Sequence, residues 1–437
     1  MVFCWALANQ LLALTIGEPY AVVAPRDVAS LQVVTNTNGD TAIFWQSKGW
    51  WAKELYAANK SEEGTWVVFD AMNLDGGAEM VSPFIDESCR LNVAWKIVKQ
   101  GQQKIYLTQG EGKQFIPARE LHSLQEGEVT ELRMMPEENS YRMAWVQTFY
   151  SKADKTRFGE CISVASLIEG QKPAIQQVSK MFEFSNRAKL AFDAAGNAFA
   201  VWIKSKYDYH KKDSVPFCLE ASSQNKGQQW SAYEKIEGTD LNGSDDFDGM
   251  WAVRDKEDNA TVLWVLKNKN STARQLMCVT KFNGRWGPVI PLTLEEEGIS
   301  DPEIAIDPAG NVLALWCIDR KGQKLVRAAY KPLGKFWDFP YEISSPYTSS
   351  LNPKLSIDYQ GQFIVVWNQL EQNQTFSICG STFSTKEEMW SDRFKISLDG
   401  QACESPAFVV SPNGKGCVAW VNSFNKREIQ VAELTFK

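Results

Sequence analysis

An all-β fold built from one repeated unit is predicted for this chain, on three observations. A strand–turn–strand pattern, best seen over residues 189–202, recurs along the sequence at roughly the period of a propeller blade. Eight of these units close their second strand on a tryptophan: Trp45, Trp95, Trp145, Trp202, Trp264, Trp316, Trp367 and Trp420. The two chain ends also complement each other, one carrying a strand too many and the other a strand too few. Together these predict a single closed β-propeller of eight four-stranded blades, the last blade completed by an N-terminal strand.

The unit itself explains the strands. Leu190 and Phe192 alternate with Ala191, the period-two pattern of a strand. Asp193 can hydrogen-bond backbone amides two residues on, and Gly196 tolerates a positive φ, so the pair closes a hairpin. In the second strand Ala198, Ala200 and Trp202 share one face, and Phe199 and Val201 share the other. Both faces are apolar, so this strand must be covered on both sides.

Taken in order, residues 1–15 are uncharged and apolar but too short to span a membrane. Two readings stand: the apolar part of an export signal without its basic start, or an apolar strand of the ring. Residues 16–24 match a fourth strand, because Pro19-Tyr20 and Pro25 mirror Pro340-Tyr341 and Pro346 later in the repeat. The propeller is therefore drawn over residues 16–437, with 1–15 outside it. A second marker opens the fourth strands, at Trp66, Trp230, Trp286, Trp337 and Trp390, with Phe115 and Lys172 in the equivalent places. The last repeat stops after a third strand at residues 428–436. Pairing that strand with residues 16–24 removes both open edges. Thirteen of the 17 tryptophans are accounted for as repeat markers, hence as core.

The unit resembles the bacterial β-propeller repeats of D-x-x-G-N-x-x-x-x-W type over essentially the whole chain after residue 15. It is best kept at Asp193–Trp202 and Asp307–Trp316, looser at Asp358–Trp367 and Ser411–Trp420. It reads as degenerate in the second and third units, where residues 87–90 and 136–139 replace the turn. It is also similar to the sialidase Asp-box, although the spacing from Asp to Trp differs and eight units depart from the six blades of that family. The resemblance implies a fold and a hairpin staple, and no chemistry.

Composition narrows the function. The chain has 437 residues, 44% of them apolar, and a net charge of −7 with both signs dispersed. No basic stripe marks it for nucleic acid. Two histidines leave little for histidine-based catalysis or metal binding. Nine cysteines show no C-x-x-C spacing, and most fall in strands, so buried unpaired thiols are preferred over disulfides. No catalytic set is assigned.

Binding residues are sought in the loops. In a propeller the second-to-third-strand loops and the blade-to-blade connections share one face. The long ones, residues 150–157, 204–213 and 237–249, fall on that face and in one sector. Arg157, Tyr207, Tyr209 and His210 are candidates there, against the plainer reading of a solvated lysine-rich loop. Trp50 and Trp51 on the same face are candidates to stack on sugar rings or to anchor a protein, or else to cap the local core. Asp240, Asn242, Ser244 and Asp246 have the alternating spacing of a calcium loop. Asp245 stands where such a loop needs Gly, and Trp251 where it needs a closing Glu, so only weak Ca²⁺ binding is expected; no other cofactor is. The leading expectation is an exported, non-enzymatic scaffold that binds a protein or glycan partner through its loop-rich face, with no nucleic acid and no transmembrane segment. A glycan-active hydrolase or lyase, and a purely structural propeller, are the alternatives.

Overall fold

The computed structural model describes residues 14–436, apart from 26, 48–53, 62–63, 75–78, 100–101, 125–127, 138–139, 151–156, 169–173, 179–184, 194–195, 209–212, 240–245, 268–272, 296–297 and 425. The described residues form strands and turns, without a helix. Eight antiparallel sheets of four or five strands form the ring, an eight-bladed β-propeller. In blade 6, Ser300–Ile306 pairs with Val312–Arg320, that strand with Gln323–Lys331, and the third with the short outermost strand Tyr341–Glu342. The first strands of neighbouring blades lie against one another, so they form the innermost ring around the axis.

No blade has a core of its own. Among the described residues the apolar side chains gather into eight clusters, one at each junction between neighbouring blades. The second-strand tryptophan of every blade faces the preceding blade: Trp95 packs between blades 1 and 2, Trp316 between 5 and 6, and Trp45 between 8 and 1. The fourth-strand markers Trp66, Trp230, Trp286, Trp337 and Trp390 lie on the same side, nearer the rim. The indole N–H groups of Trp45, Trp145, Trp264, Trp316 and Trp420 meet no acceptor among the described residues. These side chains are there for the area they bury, not for a hydrogen bond. Burial pushes the Cys278, Cys317 and Cys417 thiols up to about 12, which leaves them inert.

The hairpin turns follow one rule. In blade 6 Asp307 Oδ1 accepts the amides of Ala309 and Asn311, while Asn311 Nδ2 donates to Asp307 Oδ2 at 2.8 Å. Blade 1 makes the same bond with the residues exchanged, Asn36 Nδ2 donating to Asp40 Oδ2 at 2.7 Å. Blade 2, which looks degenerate in sequence, keeps the turn one residue earlier than residues 87–90. Asp86 takes the aspartate role, Cys89 stands in the glycine place with φ +59°, and Arg90 Nε reaches Asp86 Oδ2 at 3.0 Å. Asn311 Oδ1 then accepts the amide of Leu333, and Asn259 and Asn197 do the same for Asn283 and Lys226. The turn staples its own hairpin and holds the third-strand turn of the same blade.

Ring closure pairs the two chain ends. Tyr20–Val23 lies along Glu428–Phe436, with Tyr20 opposite Val431. Leu14–Ile16 continues the pairing, Leu14 opposite Phe436, so the strand begins two residues before residue 16. Leu14 and Ile16 pack at the junction of blades 7 and 8, in place of the rim tryptophan that blade 8 lacks. Tyr20 Oη donates to Glu433 at 2.6 Å and accepts from Trp66 Nε1 of blade 1 at 3.0 Å, and Lys60 of blade 1 pairs with Glu433.

Two stability predictions follow from these contacts. Burial raises Glu433's carboxyl, but hydrogen bonds from Lys60 and Tyr20 and the Lys60 charge outweigh it and hold the group below the usual glutamate value. A depressed folded-state pKa stabilises above the unfolded value and is lost as pH falls through the folded one. Glu433→Gln should therefore cost about 1 kcal/mol or less near neutral pH, discounted for exposure, and nothing in strong acid; deleting residues 1–23 should remove cooperative unfolding at any pH. Denaturant titrations across pH check both.

In blade 7 Gln362 stands where blades 4, 5 and 6 have Asn. Its Nε2 turns to Gln360 Oε1 at 3.5 Å, which leaves the buried Asp358 Oδ2 without a partner. Burial pushes the Asp358 carboxyl above its ordinary range. The penalty for this charge is full above the raised pKa and absent below the unfolded one. Gln362→Asn should restore the missing bond and stabilise by about 1–2 kcal/mol at neutral pH, the gain fading as pH falls through the raised pKa.

Candidate functional site

The innermost strands carry a second recurring irregularity. In blades 2 to 8 the pairing of the first and second strands slips near the start of the first strand, as between Ser300 and Glu303, Leu351 and Lys354, and Glu404 and Ala407. Bulges of this kind re-aim side chains and cluster near binding sites. They lie at the end of the strand where the chain arrives from the preceding blade, hence on the face that also carries the second-to-third-strand loops.

In blades 5 to 8 the bulge holds a left-handed residue: Gly249 (φ +144°), Asp301 (+51°), Asn352 (+52°) and Ser405 (+49°). The last three precede Pro302, Pro353 and Pro406, whose rings fix the backbone that follows. Non-glycine residues held in this region carry local strain, and such strain collects at functional sites. Asn352 Nδ2 donates to Asn368 Oδ1 at 3.1 Å, while Asp301 Oδ2 accepts from its neighbour Ser300 Oγ at 2.9 Å.

Side chains from the second-strand position after the tryptophan support these bulges from the preceding blade. Asn368 Nδ2 donates to Cys403 O at 3.0 Å, and Cys317 Sγ approaches Ser350 O at 3.9 Å. The fully buried Lys96 Nζ donates to Val129 O at 3.0 Å.

Two residues past the left-handed position comes the side chain opposite the residue before each tryptophan. Around the ring this place holds Gln32, Ser82, Arg133, Lys189, Trp251, Glu303, Lys354 and Ala407. Three of them meet at one open pocket of about 410 Å³, lined by Trp251, Asp301, Pro302, Glu303, Ile304 and Lys354. The Glu303 carboxylate is held at both ends, Oε1 by Lys354 Nζ at 2.6 Å and Oε2 by the Leu355 amide at 2.8 Å. Trp251 is half-buried, its indole lying where a Cβ on Gly249 would be. The glycine thus makes room for the ring. A second ionic group sits on the innermost strands of blades 3 and 4, where Glu131 meets Arg133 at 3.3 Å and Lys189 at 3.5 Å.

The pocket offers an aromatic platform beside a fixed carboxylate–ammonium pair. A carboxylate with both oxygens engaged is poorly placed to remove a proton from a substrate. Each oxygen keeps a lone pair, and Lys354 keeps N–H groups, for the hydroxyls of a ligand. His122, the histidine the structure describes, lies in blade 2 with its ring 5.3 Å from Trp145, and burial pushes its pKa down. Among the described residues no group of three or more His, Cys, Asp or Glu is placed to hold a metal.

The candidates drawn from sequence are not among the described residues that line this pocket. Trp50, Trp51, Tyr209, His210, Asp240, Asn242 and Ser244 are outside the described residues. Arg157, Tyr207 and Asp246 are described in backbone only, opposite Tyr150, Ser214 and Lys267 at the loop-side ends of their strands. Asp246 begins the strand that carries Trp251. The axial residues had a signal in the sequence: Asp301-Pro302, Asn352-Pro353 and Ser405-Pro406 each precede their blade's tryptophan by the same interval.

No protein-family model matches this chain, and no curated protein matches it. No sequence match supports the resemblance to D-x-x-G-N repeat proteins or to the sialidase Asp-box. Among solved structures, an ulvan lyase from a polysaccharide lyase family is similar at 11% identity over 95% of each chain, with a TM-score of 0.50. A protein of unknown function from Dyadobacter fermentans DSM 18053 is similar at 11% identity, over 97% of this chain and 99% of that one, with a TM-score of 0.42. An α-L-arabinanase of Penicillium chrysogenum is similar at 12% identity, over 69% of this chain and 94% of its own, with a TM-score of 0.40. At these identities the likeness is one of fold. Among the described residues no helix is long and apolar enough to cross a membrane.

If the left-handed bulge is kept for its side chains, relieving it should stabilise the protein. Ser405→Gly should gain about 0.5–1 kcal/mol. Asn352→Gly should gain less, since asparagine tolerates this backbone and its bond to Asn368 is lost. Chemical unfolding midpoints of the two variants test the order.

Proposed function

We propose that this chain is a non-enzymatic propeller that binds a saccharide at the axial pocket of blades 5 to 7. The observation that carries the reading is Trp251 propped over Gly249 beside the Glu303–Lys354 pair, in a pocket open to the loop-rich face. An indole face and preset hydrogen-bonding groups are what a sugar ring requires: apolar contact on one side and partners for its hydroxyls on the other. Presetting matters because the ion pair is ordered before the ligand arrives, so less freedom is lost on binding. The innermost strands make a rigid support, and the polar groups of Asp301, Asn352 and Ser405 extend the same rim toward blade 8.

Glycan-array screening of the purified chain, followed by calorimetry on the best ligand, tests this. Trp251→Ala should weaken binding at least tenfold, or about 1.4 kcal/mol. Gly249→Ala should weaken it too by displacing the indole, with Arg133→Ala as a distant control that changes nothing. Absence of any glycan ligand, or undiminished binding by Trp251→Ala, would sink the proposal. Shortening of the bound glycan on incubation would instead make the chain a hydrolase or lyase.

A further inference from the structure

We propose that the outer edge of blade 6 is a self-association surface, through which two copies of this chain pair about a two-fold axis. The outermost segment of that blade runs from Phe336 to Ile343. Trp337 and Ile343 turn inward to the junction cores on either side. Phe336, Phe339 and Tyr341 do not: they are 89%, 97% and 60% exposed, and Tyr347 just beyond them is 89% exposed.

The repeat provides its own control. Two residues after the fourth-strand marker, where blade 6 has Phe339, the other blades carry Val68, Pro117, Ala232, Pro288 and Asp392. The fold therefore does not require an aromatic there. An apolar stripe of this kind on a water-exposed rim marks an interface.

The edge cannot be extended as a sheet. Its outermost strand is two residues long and Pro340, without an N–H, sits beside it. Association must use side-chain packing instead. Four aromatics of this size, covered together, remove roughly 500–800 Å² of surface per copy, close to the ~800 Å² per partner of a stable interface. A short peptide would leave much of this stripe uncovered; a second copy covers it.

Charge does not oppose the pairing. At one end of the stripe Lys335 pairs with Glu388, and at the other Arg320 and Arg327 both reach Glu342. An isologous contact centred on Phe339 sets the balanced end of one copy against the end of the other that carries one surplus positive charge, so no like-charged ends meet. In that register Asp338 falls across from Pro340 and Tyr341 of the second copy, where the tyrosine hydroxyl can donate to it.

Sedimentation of the full chain across the micromolar range should show a concentration-dependent dimer. Phe339→Asp should leave a monomer whose unfolding midpoint equals that of the parent measured below its dimerisation range, because the side chain is almost fully exposed within the chain. Phe339→Cys should cross-link to itself under mild oxidation, whereas Asp392→Cys, the same position in blade 7, should not. A parent chain that stays monomeric throughout, a Phe339→Asp variant that still dimerises, or equal cross-linking of the two cysteine variants would overturn the proposal.

Discussion

Everything in this ring depends on one contact: a tryptophan of each blade pressed against the blade before it. The inner tryptophans are fully buried or nearly so, and in most blades a second aromatic covers them from the rim on the same side. At about 25 cal/mol per Å² and 150–250 Å² per ring, each indole contributes roughly 4–6 kcal/mol of gross burial. None of it is available to an isolated blade, whose apolar faces would both be wet. The apolar material is distributed over eight junctions, so the sheets are stable only as a closed set. That requirement explains why the second strands are apolar on both faces and why the polar staples gather at the turns and bulges, where the strands end.

The scaffold was legible because its determinants are local and repeated. A tryptophan closing the second strand recurs eight times, in blades 4, 6 and 7 at a fixed distance from an Asp–Gly turn, and each recurrence confirms the register of the others. What the motif missed were substitutions that preserve a physical role while changing the letter. Cys89 takes the left-handed place of a glycine, Arg90 the donor place of an asparagine, and Asn36 and Asp40 exchange donor and acceptor. A pattern of residue names misses these; a pattern of donors, acceptors and φ signs finds them.

The axial pocket was not legible in the same way. Glu303 and Lys354 are separated by a whole repeat and are two among 99 charged residues. Their meeting depends on the bulges, which shift the innermost strands against the second strands and set the first strands of blades 6 and 7 in contact. Loop length directed attention to blades 3 and 4 and to the acidic segment before Trp251. The structure instead draws a described pocket from strand residues, which are held more firmly than loop residues and suit a preset site better. The Asp-Pro, Asn-Pro and Ser-Pro pairs are the trace this left in the sequence.

The seam between the two chain ends has a consequence for how the protein is made. Tyr20 and Glu433 are separated by 413 residues, so the earlier of these two strands is made long before its neighbour. At about 5–20 residues per second, it waits on the order of half a minute or more after leaving the ribosome. During that interval seven blades can assemble in sequence while an apolar strand and an open blade face remain in water. Ring closure is then a single long-range event, of the kind that is slow for entropic reasons and exposed to wrong partners.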